Sequence, residues 1–180
     1  MYVPTPTQTN LVSPAKTVNA DNITDNSQNA TNSPSNDNAL TPGELLVDKI
    51  SLDVPIIWNV EEGEILNRLK EGVAHYRGTS KPGGGGNIFI VGHSSNYFWV
   101  RSDYNDVFAL LDKLVKGDRI EIIQDGRKYS YGVVDKKTVS PTDVSVIDST
   151  NKEILSLMTC WPVGTNINRL VVQSELLSIQ

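Results

Sequence analysis

Three side chains of this sequence have the chemistry that acyl transfer needs: Cys160, His93 and Arg169. A thiol nucleophile works with a neighbouring acid or base, and the negative oxygen that forms on the attacked carbonyl needs a cationic or hydrogen-bonding partner. One cysteine, one histidine and one arginine suffice for both tasks if the fold brings them together. Each also has an ordinary interpretation, because a lone cysteine is usually a small buried apolar residue, and the other two types are usually structural or solvated at strand ends.

Each of these residues borders a predicted β-strand. The strand predicted before His93, residues 87–92, is rich in β-branched residues and follows four glycines, which predicts burial. Pro162 biases Trp161 away from helix, so the chain should leave its strand directly after Cys160 and present the thiol beside a loop. The strands are 87–92 before His93, 153–159 before Cys160 and 170–179 after Arg169.

The remaining pattern predicts a mainly β protein. Residues 44–57 mix apolar and polar positions as strands do, and 119–134 predict a hairpin because Asp125-Gly126 supports a type I′ turn. Helical spacing predicts two short helices, over 61–70 and 107–115. Six to eight short strands with few helix-length crossovers favour a closed or nearly closed barrel over a βαβ sheet. In the first strand region, one side is predicted to carry Leu46, Asp48, Ile50, Leu52 and Val54.

Composition excludes several classes of protein. The 180 residues carry a formal net charge of −5, which argues against nucleic acid as the main partner. One cysteine forms no internal disulfide, and with two histidines it makes no zinc site. No apolar run is long enough to span a bilayer.

The first 40 residues have a different composition from the rest. They contain 24 Asn, Thr, Ser, Pro and Gln residues and four charged residues, without hydrophobic periodicity. Such a segment buries too little apolar surface to offset the entropy of ordering, so 1–40 is predicted to be disordered. It lacks the features of a signal peptide. It is interpreted either as a flexible tail or cloning remnant, or as a stalk that holds a folded domain, 41–180, away from a surface.

Three motifs in order resemble those of the sortase family. The run 72–93, with Gly72-Val-Ala-His-Tyr76 and Val91-Gly-His93, is similar to the sortase sequence that leads to the catalytic histidine. Ser156-Leu-Met-Thr-Cys160 resembles the Thr-Leu-x-Thr-Cys signature, with serine in its first position. Asn168-Arg-Leu-Val-Val172 follows where sortases carry their catalytic arginine. The resemblance covers about 44–178, and the stretch after Cys160 is closer to class D, E or F sortases than to class A or B.

The resemblance implies an eight-stranded β-barrel with two or three short helices and a cysteine transpeptidase activity. Sortases cleave a sorting signal of the Leu-Pro-x-Thr-Gly type in a secreted protein and pass the acyl group to an amine of a peptidoglycan precursor or pilin. By resemblance, Cys160 is the nucleophile, His93 the general acid and then base, and Arg169 the group that steadies the carbonyl and its oxyanion. Thr159 and Trp161 are expected to bind substrate, and the loops 140–152 and 161–168 to wall the groove.

The resemblance also implies a cellular location and a cofactor requirement. Sortases act on the extracytoplasmic face of the bacterial membrane, through an apolar anchor that these 180 residues lack. No cofactor or metal is predicted. Some sortases bind calcium through loop carboxylates, and the candidates here are Asp103, Asp106, Asp143 and Asp148.

Other functions remain as alternatives. A nucleotide-binding loop at 83–86 is disfavoured, because a strand follows the glycines instead of a helix. A papain-like hydrolase would place its cysteine at the start of a helix, whereas Cys160 ends a strand pattern. A non-catalytic peptide-binding module on the same barrel, or a cysteine peptidase that only hydrolyses, also fits the motifs.

Overall fold

A computed structural model of the chain describes residues 42–95 and 102–180. These residues belong to the second of two compact units, Asp37–Gln180. The first unit and the predicted tail 1–40 lie outside the described residues. The strands are β1 Gly43–Val47, β2 Leu52–Val60, β3 Val73–Tyr76, β4 Asn87–Val91, β5 Arg119–Gln124, β6 Arg127–Val139, β7 Ile154–Trp161 and β8 Asn168–Ile179.

The eight strands close into a barrel in the order β1-β2-β3-β4-β7-β8-β6-β5. Neighbouring strands are antiparallel except for two parallel pairs, β2 with β3 and β4 with β7. The predicted eight-stranded barrel is confirmed. The short strand β3 was not among the strand predictions, because four residues, Val-Ala-His-Tyr, are too few to show a period.

The predicted hairpin is also confirmed, since β5 and β6 pair in antiparallel register on either side of Asp125-Gly126. Both turn residues have the positive φ of a type I′ turn, 51° at Asp125 and 74° at Gly126.

The side chains predicted for one face of the first strand region do not all lie there. Leu45 and Val47 of β1 are buried at 0% and 1% exposure, whereas Leu46 is partly exposed. A 3-10 helix, Asp48–Ile50, reverses the chain and restarts the alternation, so Leu52 and Val54 of β2 are buried as predicted. A two-residue period holds only within one strand, whereas the predicted face continues through the reversal at Asp48–Ile50.

Helical structure is shorter than the sequence predicts. Residues 61–70 form a 3-10 helix, Glu62–Glu64, and a single-turn helix α1, Ile65–Arg68. Residues 107–115 form turns and a 3-10 helix, Leu111–Lys113, rather than an α-helix. The buried residues there are Phe108, Leu111 and Leu114. Their spacing of three residues matches the 3.0-residue turn of a 3-10 helix, and not the 3.6-residue turn of an α-helix.

Two apolar clusters occupy opposite faces of the barrel wall. The larger cluster contains Ile88, Ile90, Leu155 and Leu157, which alternate with the residues of the second cluster along β4 and β7. The second cluster contains Phe89, Val91, Val146 and Val171, with Met158 packed against it. Because side chains alternate across a strand, β4, β7 and β8 are apolar on both faces. The larger cluster fills the barrel, and the second covers its outer surface.

Candidate active site

Three adjacent strands place Cys160, His93 and Arg169, here called the triad, at one level of the barrel. Parallel pairing of β4 with β7 sets Val91 beside Met158. Cys160 follows Met158 by two positions within β7, and His93 follows Val91 by two positions, just past the end of β4. Antiparallel pairing of β7 with β8 sets Cys160 directly opposite Arg169. Directly opposed residues have Cβ atoms about 4.5–5.5 Å apart. Strand order and register together bring the predicted residues side by side.

Alternation places the triad on the outer face of the barrel wall. Val91, Met158 and Val171 lie two residues from the respective triad members, and they belong to or pack against the outer cluster. Residues two apart in a strand point to the same side. The triad therefore stands at the end of an apolar outer surface rather than in the barrel interior.

A cleft of about 420 Å³ runs over this surface and contains all three triad residues. Its floor is formed by Phe89, Val91 and Met158. Two segments outside the strands also line it: residues 62–69, here called the first wall, and residues 141–147, here called the second wall. Apolar side chains dominate both walls: Ile65, Leu66 and Leu69 in the first, and Val144, Val146 and Ile147 in the second.

The backbone ahead of His93 is held to β7 beyond the last residue of β4. Gly92 N–H donates to Met158 O at 3.1 Å, and the Thr159 hydroxyl donates to Gly92 O at 2.8 Å. A Cβ on Gly92 would lie 2.6 Å from the Phe108 ring, so glycine alone fits there. Phe108 N–H in turn donates to His93 O at 2.9 Å. These contacts hold the backbone of Gly92 and His93, from which the imidazole extends.

Partial burial sets the charge state of His93. Desolvation disfavours the imidazolium and holds the pKa of His93 below its ordinary value of 6.5. At neutral pH the imidazole is therefore mainly neutral, and one ring nitrogen of a neutral imidazole has a lone pair that can accept a proton.

Arg169 is oriented by its own loop. Its Nη1 donates to the carbonyl oxygens of Asn166 and Asn168, at 3.2 and 3.0 Å. A guanidinium carries five N–H donors, and the contacts at one nitrogen leave the remainder for a group in the cleft that Arg169 lines. Cys160 is a free thiol and partly exposed. The site thus brings a thiol, an imidazole and a guanidinium donor fork into one apolar cleft.

A family model described as Sortase domain matches residues 45–177 of the chain. The chain belongs to the sortase family. A Sortase D of Bacillus subtilis is 30% identical over 137 residues, which are 74% of this chain and 62% of that protein. A Sortase A of Bacillus anthracis is 27% identical over 134 residues, 74% of this chain and 59% of that protein. The chain thus spans about three fifths of the length of these two relatives. The match to a Sortase D fits the predicted class.

Solved sortase structures share the fold. Sortase C1 of the GBS pilus island 1 superposes with a TM-score of 0.65 at 28% identity, over 76% of this chain and 64% of that chain. A Clostridium perfringens Sortase D5 transpeptidase superposes with a TM-score of 0.64 at 25% identity, over 76% of this chain and 79% of that chain. The eight-stranded barrel is therefore the sortase barrel.

The other residues predicted for this sortase's site lie in different places. Thr159 contributes to the cleft lining, but its hydroxyl is buried and already bonded to Gly92. Trp161 is absent from the cleft lining, and its ring packs against the barrel-interior cluster. The predicted wall at 140–152 supplies the second wall, whereas 161–168 supplies none of the lining residues. The sequence did not indicate that residues 62–69 line the cleft, because their apolar spacing predicted only a helix.

His75, which the family resemblance left without a role, lies away from the cleft. It is buried, its Nδ1 accepts from Asn59 N–H at 3.3 Å, and its Nε2 lies 2.7 Å from Ser80 O. The ring packs against Trp58, with centroids 4.9 Å apart. Burial above all lowers the pKa of His75 below 6.5. A neutral imidazole therefore joins β2, β3 and the loop after β3.

Two further expectations concern metals and membranes. Among residues 42–95 and 102–180, no group of three or more His, Cys, Asp or Glu side chains is arranged to hold a metal ion. Of the carboxylates named as calcium candidates, Asp143 instead accepts from Ser145 N–H at 3.1 Å and caps a 3-10 helix, Val144–Ile147. In the described part of the chain, no helix has the length and apolar character to cross a bilayer.

Proposed function

We propose that this sortase is a cysteine transpeptidase that cleaves a Leu-Pro-x-Thr-Gly-type sorting signal and transfers the acyl group to an amine. The observation that carries the proposal is that Cys160, His93 and Arg169, which lie at or just past the ends of neighbouring strands, line one apolar cleft. The apolar lining of the cleft suits an extended peptide with apolar residues, whose scissile carbonyl would lie at the triad.

The proposed reaction uses each triad residue in turn. Neutral His93 accepts the thiol proton as the sulfur of Cys160 attacks the carbonyl carbon, and Arg169 donates to the oxygen that gains charge. The C–N bond then breaks, and His93 returns its proton to the departing amine. A thioacyl enzyme remains. An incoming amine attacks the thioacyl carbon and loses a proton to His93. The C–S bond breaks as the new amide forms, and the sulfur of Cys160 takes the proton back from His93, which restores the thiol and the neutral imidazole.

The proposed partners are secreted proteins with a sorting signal, and an amine on a peptidoglycan precursor or pilin. The proposed location is the extracytoplasmic face of the bacterial membrane, where residues 1–40 would serve as a stalk for the catalytic domain 41–180. The charge of −5 and the apolar cleft agree with a protein or peptide partner rather than nucleic acid.

The test is product analysis by mass spectrometry with a small library of sorting peptides. With diglycine or triglycine present, the wild-type chain should give the transpeptidation product as well as the cleaved amine. Hydrolysis alone, with no product joined to glycine, would identify a peptidase instead. No cleavage of any peptide, with peptide binding retained, would identify a binding module.

Cys160→Ala should abolish both reactions while leaving the fold intact, since no thioacyl bond can form. Cys160→Ser should retain almost no activity, because the hydroxyl is a much poorer nucleophile. Circular dichroism checks the fold of both variants. Cleavage by Cys160→Ala at the wild-type rate would eliminate the thiol mechanism.

A further inference from the structure

A buried polar network lies at the far end of the outer surface from the triad. Asn87, the first residue of β4, is 2% exposed, and Ser156 of β7 is fully buried. The Ser156 hydroxyl donates to Asn87 Oδ1 at 2.8 Å, and Gln173 Nε2 of β8 donates to the Ser156 oxygen at 3.4 Å. Three adjacent strands thus orient one side-chain amide.

The amide nitrogen of Asn87 faces the second wall. Nδ2 donates to Val146 O at 2.9 Å and to Asp148 O at 3.2 Å. Both acceptors are carbonyl oxygens, so the amide fits in one orientation only, with its N–H groups toward the wall and its oxygen toward Ser156. Every polar atom of the side chain has a partner.

The second wall and the residue after it, Asp148, depend on these two contacts for their polar attachment to the barrel. In the described part of the chain, the other hydrogen bonds of residues 141–148 are local; for example, Asp143 accepts from Ser145 N–H, and Asp148 N–H donates to Ser145 O at 3.2 Å. Val146 packs into the outer cluster, but Val144 is 72% exposed at the cleft. The position of the wall therefore rests on the packing of Val146 and Ile147 in and against the outer cluster and on the Asn87 amide.

Asn87 is too far from the triad to take part in bond making. His93 comes six residues after Asn87, and at about 3.3 Å per strand residue the separation is roughly 20 Å. A change at Asn87 should alter how the cleft holds a peptide and leave the reacting groups in place.

We propose that Asn87 is a positioning residue for substrate binding, which holds the second wall against the barrel so that the cleft has the width an extended peptide needs. The proposal rests on the proposed function for its substrate, a sorting peptide. Its structural half, the attachment of the wall, is independent of any activity.

The experiment compares wild type with Asn87→Asp, which keeps the shape of the side chain and its acceptor but loses both donors, and with Asn87→Ala. Backbone hydrogen exchange of residues 144–148 should quicken in both variants. The Michaelis constant for the sorting peptide should rise roughly tenfold, which is within the scale of the two hydrogen bonds lost from the Asn87 amide, with kcat within about twofold of wild type. The rate of Cys160 alkylation by iodoacetamide should be unchanged.

Ser130→Ala is the matched control. Ser130 is a buried hydroxyl on β6 that donates to Glu121 at 3.3 Å and does not line the cleft. Its loss should lower the melting temperature without changing exchange at 144–148 or the Michaelis constant.

Unchanged exchange at 144–148 in the Asn87 variants would overturn the proposal, as would quicker exchange with an unchanged Michaelis constant. If both variants fail to fold, hydrogen exchange of the Asn87 side-chain NH₂ protons is measured by NMR in the wild-type chain. These protons must exchange slowly if they are bonded to the wall. Rapid exchange there overturns the proposal. A wild-type chain that cleaves no peptide refutes the proposed function instead, and the exchange data still decide whether Asn87 holds the wall.

Discussion

Replacing Thr159 with valine removes one hydroxyl and keeps the branched shape of the side chain. Thr159 is 2% exposed, and its Oγ1 donates to Gly92 O at 2.8 Å, directly before His93. Val at this position leaves the buried carbonyl of Gly92 without that donor. The substitution therefore tests whether a contact between β7 and the end of β4 holds the imidazole beside Cys160.

The expected effect has two parts. An unsatisfied buried carbonyl costs about 1–3 kcal/mol of stability, which corresponds to a fall in melting temperature of roughly 3–10 °C for a domain of this size. A displacement of a reacting group by about 1 Å costs up to ~100-fold in rate. Because Gly92 is still bonded to Met158 through its N–H, we expect a partial displacement and a loss of about 10- to 100-fold in kcat/KM.

The assay is cleavage of one sorting peptide, with melting temperature measured by circular dichroism. Thr159→Ser keeps the hydroxyl and should recover most of the activity. Thr150→Val is the matched control, because the Thr150 hydroxyl donates to Lys152 O in an exposed loop, and its loss should leave both values nearly unchanged. Full activity in Thr159→Val would refute the reasoning, since His93 would then hold its place without this hydrogen bond.

Two further predictions concern charge. Arg169→Lys should lose at least ~100-fold in kcat/KM, because one ammonium on a flexible stem cannot reproduce the donor fork at an oxyanion. Arg119→Lys at the exposed start of β5 is the control. An Arg169→Lys variant with nearly wild-type kcat/KM would show that only the positive charge matters. Burial holds the pKa of His75 below 6.5, so at mildly acidic pH the unfolded chain binds a proton at this residue more readily than the folded chain does. The free energy of unfolding should therefore fall as pH drops below about 6.5 and be fully retained above it. In denaturant titrations between pH 7.5 and 5, His75→Gln should reduce the dependence of the free energy of unfolding on pH, leaving the part due to His93, whose pKa is also lowered. An unchanged pH dependence would contradict the role given to His75.

Local sequence determined most of the strands of this sortase. Alternation, β-branched runs and turn residues act within a few positions, and these signals indicated β4 to β8 and the turn at Asp125-Gly126. They failed where the signal was shorter than one period, as in β3, or crossed a chain reversal, as between Leu46 and Leu52. The three-residue spacing of Phe108, Leu111 and Leu114 indicated a helix, but only the structure distinguished a 3-10 turn from an α-helix.

The triad could be named from sequence because residue type and strand-end position are both local properties. Its assembly is not local. Gly92 and Thr159 are 67 residues apart and meet only because β4 and β7 pair in parallel within a closed barrel. Strand order and register arise from many weak side-chain contacts between distant segments, which no short window of sequence contains.

The tertiary structure also decided which predicted site residues reach the cleft. Side-chain direction alternates along β7, so Cys160 points to the outer surface while its neighbour Trp161 packs toward the barrel interior. The first wall and Asn87 carried no chemical signal in the sequence, because apolar helix residues and a single asparagine occur in every fold. They gain a place in the site only where the closed barrel brings 62–69 and 141–147 to one apolar surface.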